Sequence, residues 1–155
     1  QLEVRPVRAD DGPLLRDFFA KVATDDLRFR FLSGVNSVSD DQIARMVDVD
    51  HKQTEDFLAF ADGALVATGL VASDEARDRA EVAIVVRGDH KNRGIGWTLL
   101  GHIAEHARSL GIRFLESVED RHNQAAIEVE RDLGFSVKPY GDDPTLVVVS
   151  KQLCR

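Results

Sequence analysis

The run Ala80-Glu81-Val82-Ala83-Ile84-Val85-Val86-Arg87-Gly88-Asp89-His90-Lys91-Asn92-Arg93-Gly94-Ile95-Gly96-Trp97-Thr98-Leu99-Leu100-Gly101 decides how this chain folds. It has three parts. Residues 80–87 are β-branched and apolar, which predicts a buried strand. Residues 88–93 are polar and basic. From Gly94 onward Ile95, Leu99, Ile103, Ala107 and Leu110 recur at the spacing of one helix face.

A strand, a basic glycine-containing turn and a helix start together form an anion site. The first-turn amides of a helix lack intrahelical partners, and the helix dipole favours negative charge there. Gly94 and Gly96 remove the Cβ atoms that would hold a phosphate off the backbone, and Lys91 and Arg93 add positive charge. The pattern Lys91-x-x-Gly94-x-Gly96 is not the dinucleotide fingerprint, because Leu99 stands where the third glycine is needed. It is not a P-loop either, because no Gly-Lys-Ser/Thr follows. A tight strand–helix turn without a ligand is the bland alternative.

The rest of the chain narrows the class. At 155 residues it predicts one domain, 1–155, able to bury a core, and the start at Gln1 is consistent with a piece of a longer protein. A formal net charge of -7 argues against general nucleic-acid binding and suits a basic partner or an amine substrate. A single cysteine, Cys154, cannot form an internal disulfide, and no metal-ligand pattern is visible. With no apolar run of spanning length and no signal peptide, neither a membrane partner nor a metal is expected, and the expected location is cytoplasmic.

Working outward, Leu2 to Arg8 reads as a first strand, placed near an edge by Pro6. Asp10 is the expected cap of a helix carrying Pro13, with Leu14, Leu15, Phe18, Phe19 and Val22 inward. A second helical piece opens at Thr24, ends at Gly34, and its Leu27, Phe29, Phe31 and Leu32 read as core. Ser39 caps a third, from Asp40 to about Val49. Asp48, Asp50, His51, Glu55 and Asp56 then form an acidic stretch, read either as a solvated loop or as a rim that attracts a cationic acceptor. Phe57–Ala61 and Ala64–Ala72 are strands joined at the Asp62-Gly63 turn. Helix 94–110 ends at Gly111, and the strand Ile112–Val118 should run parallel to the Ala80 strand. A helix from Asn123 to Leu133, closed by Gly134, and strands Phe135–Tyr140 and Thr145–Leu153 complete the order β-α-α-α-β-β-β-α-β-α-β-β.

Lys91-x-x-Gly94-x-Gly96 after a strand ending in Val resembles motif A of the GNAT acyltransferases, with Lys91 where Gln or Arg is usual. Asn123 through Leu133-Gly134-Phe135 resembles the second signature of that family, and the element order is similar over essentially the whole chain. The resemblance implies an α/β (α+β) GNAT fold: a central mixed, mostly antiparallel sheet of about seven strands with helices on both faces. Three segments are similar to the catalytic domain of the bacterial Pat-type protein lysine acetyltransferases. They are Val4-Arg5-Pro6-Val7-Arg8 with Asp10-Asp11, Arg28-Phe29-Arg30-Phe31, and Ala80-Glu81-Val82-Ala83. Such enzymes acetylate and silence AMP-forming acyl-CoA synthetases, so the resemblance implies acetyl-CoA as cosubstrate and a protein substrate of that kind. Their catalytic domain is often fused to a regulatory domain.

The chemistry follows. Acyl transfer to lysine needs a neutral amine, and near pH 7.5 deprotonating a free lysine costs roughly 4 kcal/mol. A carboxylate, direct or through water, supplies the acceptor for that proton. Alternation groups Glu81 with Ala83 and Val85, and the resemblance assigns Glu81 as general base. It also implies that the loop at Lys91, Asn92, Arg93, Gly94, Ile95, Gly96 and Trp97 holds the pyrophosphate. Backbone groups of Ile84, Val85 and Val86 would then meet the pantetheine and the thioester carbonyl. Asn123 either contacts the CoA arm or caps its helix. Asp48, Asp50 and His51 are the expected acceptor rim. Many GNAT enzymes carry a tyrosine general acid where Glu130 stands here, so the CoA thiolate is expected to leave unassisted. An acetyltransferase for a small amine or polyamine, and a non-catalytic acyl-CoA sensor, are the alternatives.

Overall fold

The computed structural model describes residues 2–31, 38–90 and 93–153. Three helices come early: α1 (Gly12–Ala20), α2 (Thr24–Phe31) and α3 (Asp40–Val47) follow the strand β1 (Leu2–Pro6). A meander of β2 (Thr54–Ala61), β3 (Ala64–Ser73) and β4 (Arg79–Val86) comes next. A short 3-10 turn (Gly88–His90) leads to α4 (Ile95–Ser109), β5 (Phe114–Asp120), α5 (Gln124–Asp132), β6 (Ser136–Tyr140) and β7 (Asp143–Gln152). One sheet holds the seven strands in the order β1-β2-β3-β4-β5-β7-β6. Only the β4–β5 pair is parallel, as the helical crossover requires. Among the described residues no helix is long and apolar enough to cross a membrane.

Local chemistry explains most boundaries. Asp62 (φ 51°) and Gly63 (φ 82°) both take left-handed backbone, the requirement of the two-residue hairpin turn between β2 and β3. Ser39 accepts from the Gln42 amide while the Gln42 side chain accepts from the Ser39 amide, a reciprocal cap that starts α3. Pro6 sits in β1, an edge strand, where a missing donor costs little.

Apolar residues divide between the two sheet faces. Leu15, Phe18, Phe19, Leu27, Ile43 and Met46 of α1–α3 pack with Leu58 and Val85. Leu99, Leu100, Ile103 and Ala107 of α4 and Ile127 of α5 pack with Phe57, Val82 and Leu115 on the other face. Gly69 of β3 seats α4: a Cβ built there would fall 2.5 Å from Ile103 Cδ1 and 3.3 Å from Leu99 Cδ2.

Several expectations are corrected. Asp10 does not cap α1. Asp11 occupies that position, and its carboxylate instead accepts two bonds from the Arg5 guanidinium (2.8 and 2.9 Å) and one from the Arg8 amide (2.7 Å). These contacts lower the Asp11 pKa, with the Arg5 hydrogen bond the largest cause. The acidic stretch is not a loop throughout, because β2 starts at Thr54 and buries Glu55 and Asp56. Strand β5 starts two residues late, since the Ile112 amide still closes onto Ala107 O (3.1 Å) past the left-handed Gly111. The helix end at Gly34 lies outside the described residues, as do Leu32 and Cys154.

Candidate active site

Register opens the site. β4 and β5 pair only at Arg79↔Phe114, Ala80↔Leu115 and Glu81↔Glu116. Beyond Glu81 the two strands part: β4 stays bonded to β3 as far as Val86, and β5 stays bonded to β7 as far as Asp120. Thus, among the described residues, the edge of β4 facing β5 has no strand partner from residue 82 onward. Polar backbone left open at a sheet edge needs another partner.

A cleft of ≈ 490 Å³ fills this gap. Residues 82–86 of β4 form one wall, and Ser117, Val118 and Glu119 of β5 form the other. Gly94, Ile95, Gly96, Trp97 and Leu100 close one end. Asn123 and Glu130 come from the start and body of α5, and Asp26, Phe29 and Arg30 from α2. Phe29, expected in the core, lines the cleft instead, carried there by α2, which packs against β4.

The turn before α4 has the shape of an anion cradle. Gly94 is left-handed (φ 77°) at the N-cap position, and the first helical bond closes from the Thr98 amide to Gly94 O at 3.0 Å. Amides ahead of that bond point out of the helix end. A Cβ at Gly96 would meet nothing closer than Val86 Cγ2 at 3.8 Å, so the protein itself leaves that approach open. Trp97, 51% exposed, offers a bare aromatic face beside it. Arg87 holds Asp89 (Nε–Oδ1 2.6 Å) and reaches His90 Nδ1 (3.2 Å), which stiffens the 3-10 turn and holds the Asp89 carboxyl well below the usual range.

Of the residues named for the cosubstrate, Ile84, Val85, Val86, Gly94, Ile95, Gly96, Trp97 and Asn123 line the cleft. Arg93 is exposed and does not line it, and Lys91 and Asn92 lie outside the described residues. An open strand edge, a free helix start and a long cleft between them fit the amide groups and the pyrophosphate of a CoA thioester. When bound, that cosubstrate supplies the activated acyl group.

Residues 21–135 match the model of the acetyltransferase (GNAT) family. The chain belongs to the GNAT acetyltransferases. The GNAT domain of S. lividans PAT is 28% identical, with a TM-score of 0.90 over 97% of this chain and 90% of that one. An acetyltransferase of Pseudomonas aeruginosa is 28% identical over 94% of this chain and 80% of its own length. A spermidine N-acetyltransferase from Vibrio cholerae, seen with CoA and spermine, shares the fold at 14% identity and a TM-score of 0.78, covering 99% and 96% of the two chains. This GNAT domain is accordingly an acetyl-CoA-dependent acetyltransferase, and its sheet is the seven-stranded mixed sheet of the fold.

Glu81 of the GNAT domain is exposed and stands one residue before the cleft-lining run. Register puts Glu81, Glu116, Ala83 and Asp56 on the α1–α3 face of the sheet. Arg30 of α2 is half-buried, and its charge feels both Asp56 and Glu81. Burial lowers the Arg30 guanidinium, while those two carboxylates oppose the shift. Asp56, 3% exposed, is pushed up to about 7 by burial, with Arg30 opposing and Glu55 adding to it. Asp48, Asp50 and His51 do not line the cleft. Asp50 Oδ1 accepts from the amides of Lys52, Gln53 and Thr54, and His51 Nδ1 meets Glu55 Oε1 at 2.9 Å.

Sequence reasoning missed a second polar group. Glu119 and Glu130 stand together in the cleft wall between β5 and α5, both mostly buried. Ser117 Oγ donates to Glu119 Oε1, and Asn123 Nδ2 donates to Glu119 Oε2 at 3.3 Å. Asn123 holds the N-cap position of α5 but does not cap it with its side chain. Burial, then the charge of Glu119, push Glu130 up to about 9, and Glu119 is itself raised by burial. The spacing Glu119…Asn123…Glu130 was the available signal, invisible without the β5–α5 packing.

Proposed function

We propose that this domain transfers the acetyl group of acetyl-CoA to the side-chain amine of a protein lysine. By the Pat-type resemblance the acceptor is an AMP-forming acyl-CoA synthetase. One observation carries the reading: Glu81 is exposed at the last position that pairs β4 with β5, where the open β4 edge begins. Glu116, its cross-strand partner, is paired with Arg79 at 3.1 Å, which leaves Glu81 as the carboxylate presented to an approaching cation. Likeness to the S. lividans domain at 28% identity supports the protein acceptor.

In this reading the amides at Gly94–Trp97 hold the pyrophosphate and the free edge of β4 at residues 82–86 positions the thioester carbonyl. Glu81 takes the proton from the incoming lysine, directly or through one water. Arg30 and Asp56 set the charge beside it. Asp48, Asp50 and His51, which do not line the cleft, act on the acceptor through long-range charge.

The test is acetylation of an acyl-CoA synthetase with labelled acetyl-CoA, run beside a polyamine panel. Glu81→Gln keeps shape and removes the base, and should lower kcat by about 10²–10⁴-fold near pH 7.5. The loss should shrink at high pH, where more of the lysine is neutral, and acetyl-CoA affinity should hold. Turnover of polyamines alone would reassign the acceptor. A Glu81→Gln enzyme near wild-type rate, with chemistry limiting, would remove Glu81 as base, and binding without any turnover would make the domain a sensor.

A further inference from the structure

The acyl-transfer reading accounts for the base side of the reaction and leaves the departing sulfur without a proton. The carboxyl pair in the cleft wall has no structural purpose that an apolar pair would not serve better, because burying two carboxyls side by side is costly. Glu130 is 5% exposed, lines the cleft, and its Oε1 has no hydrogen-bond partner among the described residues. Ser117 Oγ and Asn123 Nδ2 both donate to Glu119, whereas Glu130 feels only Ser117 of the two, as the least of the influences on it. Two hydrogen bonds to one carboxyl favour its charged form, so Glu119 carries the charge and Glu130 carries the proton. We propose that the carboxyl of Glu130, paired with Glu119 in the cleft wall, gives its proton to the sulfur of CoA as that sulfur leaves.

The geometry fits the direction of transfer. In the acetyl-transfer reading the acyl group lies against the open β4 edge, and the carboxyl pair stands on the facing β5–α5 wall of the same cleft. The balance closes. The lysine nitrogen bonds to the acyl carbon and its surplus proton goes to Glu81. The carbon–sulfur bond breaks with its electron pair on sulfur, and sulfur takes the Glu130 proton, directly or through one water. Two adjacent carboxylates are then left at Glu119 and Glu130. Their repulsion draws a proton back from solvent, as Glu81 releases one. A thiol has a pKa of about 8.5, close to the value of about 9 to which Glu130 is pushed, so the transfer is nearly balanced. Glu119 is a positioning residue, since it acts only by holding the proton on Glu130.

This inference rests on acetyl transfer by the domain, and the experiment separates the two. Infrared difference titration of the CoA-free protein should show a protonated-carboxyl band at neutral pH that fades near pH 9 and is absent in Glu130→Gln. Single-turnover rates should then be compared for acetyl-CoA and for the acetyl thioester of a more acidic aryl thiol. Glu130→Gln should lose about 10- to 100-fold with acetyl-CoA and stay within about threefold of wild type with the aryl thioester, which needs no acid. Glu119→Gln should move the fading of the band, and the basic limb of the rate, to lower pH. Should Glu130→Gln not fold, wild type alone decides: its rate should fall above pH 9 with acetyl-CoA and not with the aryl thioester. Absence of the band at neutral pH, or equal losses with both donors, would overturn the proposal. A band present in a protein that transfers to no amine would sink the acetyl-transfer reading, and with it any use for the proton, while leaving the pair's protonation established.

Discussion

Glu130→Gln should flatten the dependence of stability on pH. Burial first, and the charge of Glu119 second, raise this carboxyl from an ordinary value of 4.5 to about 9. The sign comes from counting protons. Between those two values the folded chain keeps a proton on Glu130 that the unfolded chain has released. Stability tied to it is full below the unfolded pKa near 4.5 and is lost as pH rises toward 9. One proton amounts to about 1.4 kcal/mol per pH unit, so pH 6 to pH 8 would cost wild type up to about 2.7 kcal/mol. Glu119 shares the proton and the surroundings relax, which brings the expectation to about 1–2 kcal/mol. Glutamine cannot titrate, and its amide can still donate to Glu119. The assay is urea unfolding of both proteins at pH 6, 7 and 8. Asp56, also raised, titrates in both and cancels in the difference. The difference in unfolding free energy should move in favour of the variant by that amount across the range. A difference constant to within about 0.5 kcal/mol would refute the protonated Glu130.

Gly69→Ala should destabilise by about 1–3 kcal/mol, because the new Cβ falls 2.5 Å from Ile103 Cδ1 in a fully buried site. Ile103→Val removes that methyl, so a double-mutant cycle should show a favourable coupling of at least about 0.5 kcal/mol, and additive losses would contradict the contact. Gly96→Ala should leave the thermal midpoint unchanged, since its Cβ meets nothing inside 3.8 Å, yet weaken CoA at least about tenfold by calorimetry. Unaltered affinity would remove the pyrophosphate from that turn.

Signals confined to one turn of chain are legible in the residue order alone. Asp62-Gly63, the Ser39 cap, and the glycines ending α4 and α5 act through backbone conformations and hydrogen bonds between residues a few positions apart. The Gly94-x-Gly96 turn is legible for the same reason, as the open amides of its helix start are contiguous. Asp10 misleads because Asp11 is drawn to Arg5 across the β1–α1 corner, a charge contact that no local capping rule weighs. The acidic stretch misleads because Asp56 is buried within β2 of the sheet and meets the charge of Arg30, which is distant in sequence.

By itself the sequence determined the element order, the parallel β4–β5 crossover, the family, and the side of β4 that carries Glu81. These follow from residue periodicity and backbone chemistry, which are short-ranged. Only tertiary structure decided where the cleft opens, because three paired positions join β4 to β5 and the strands then part. It also decided that Arg30 and Asp56 lie beside Glu81 and that Glu130 meets Glu119. The protonation of a carboxyl depends on burial and on charges brought near by the packing of distant segments, and no spacing along a single strand or helix records that.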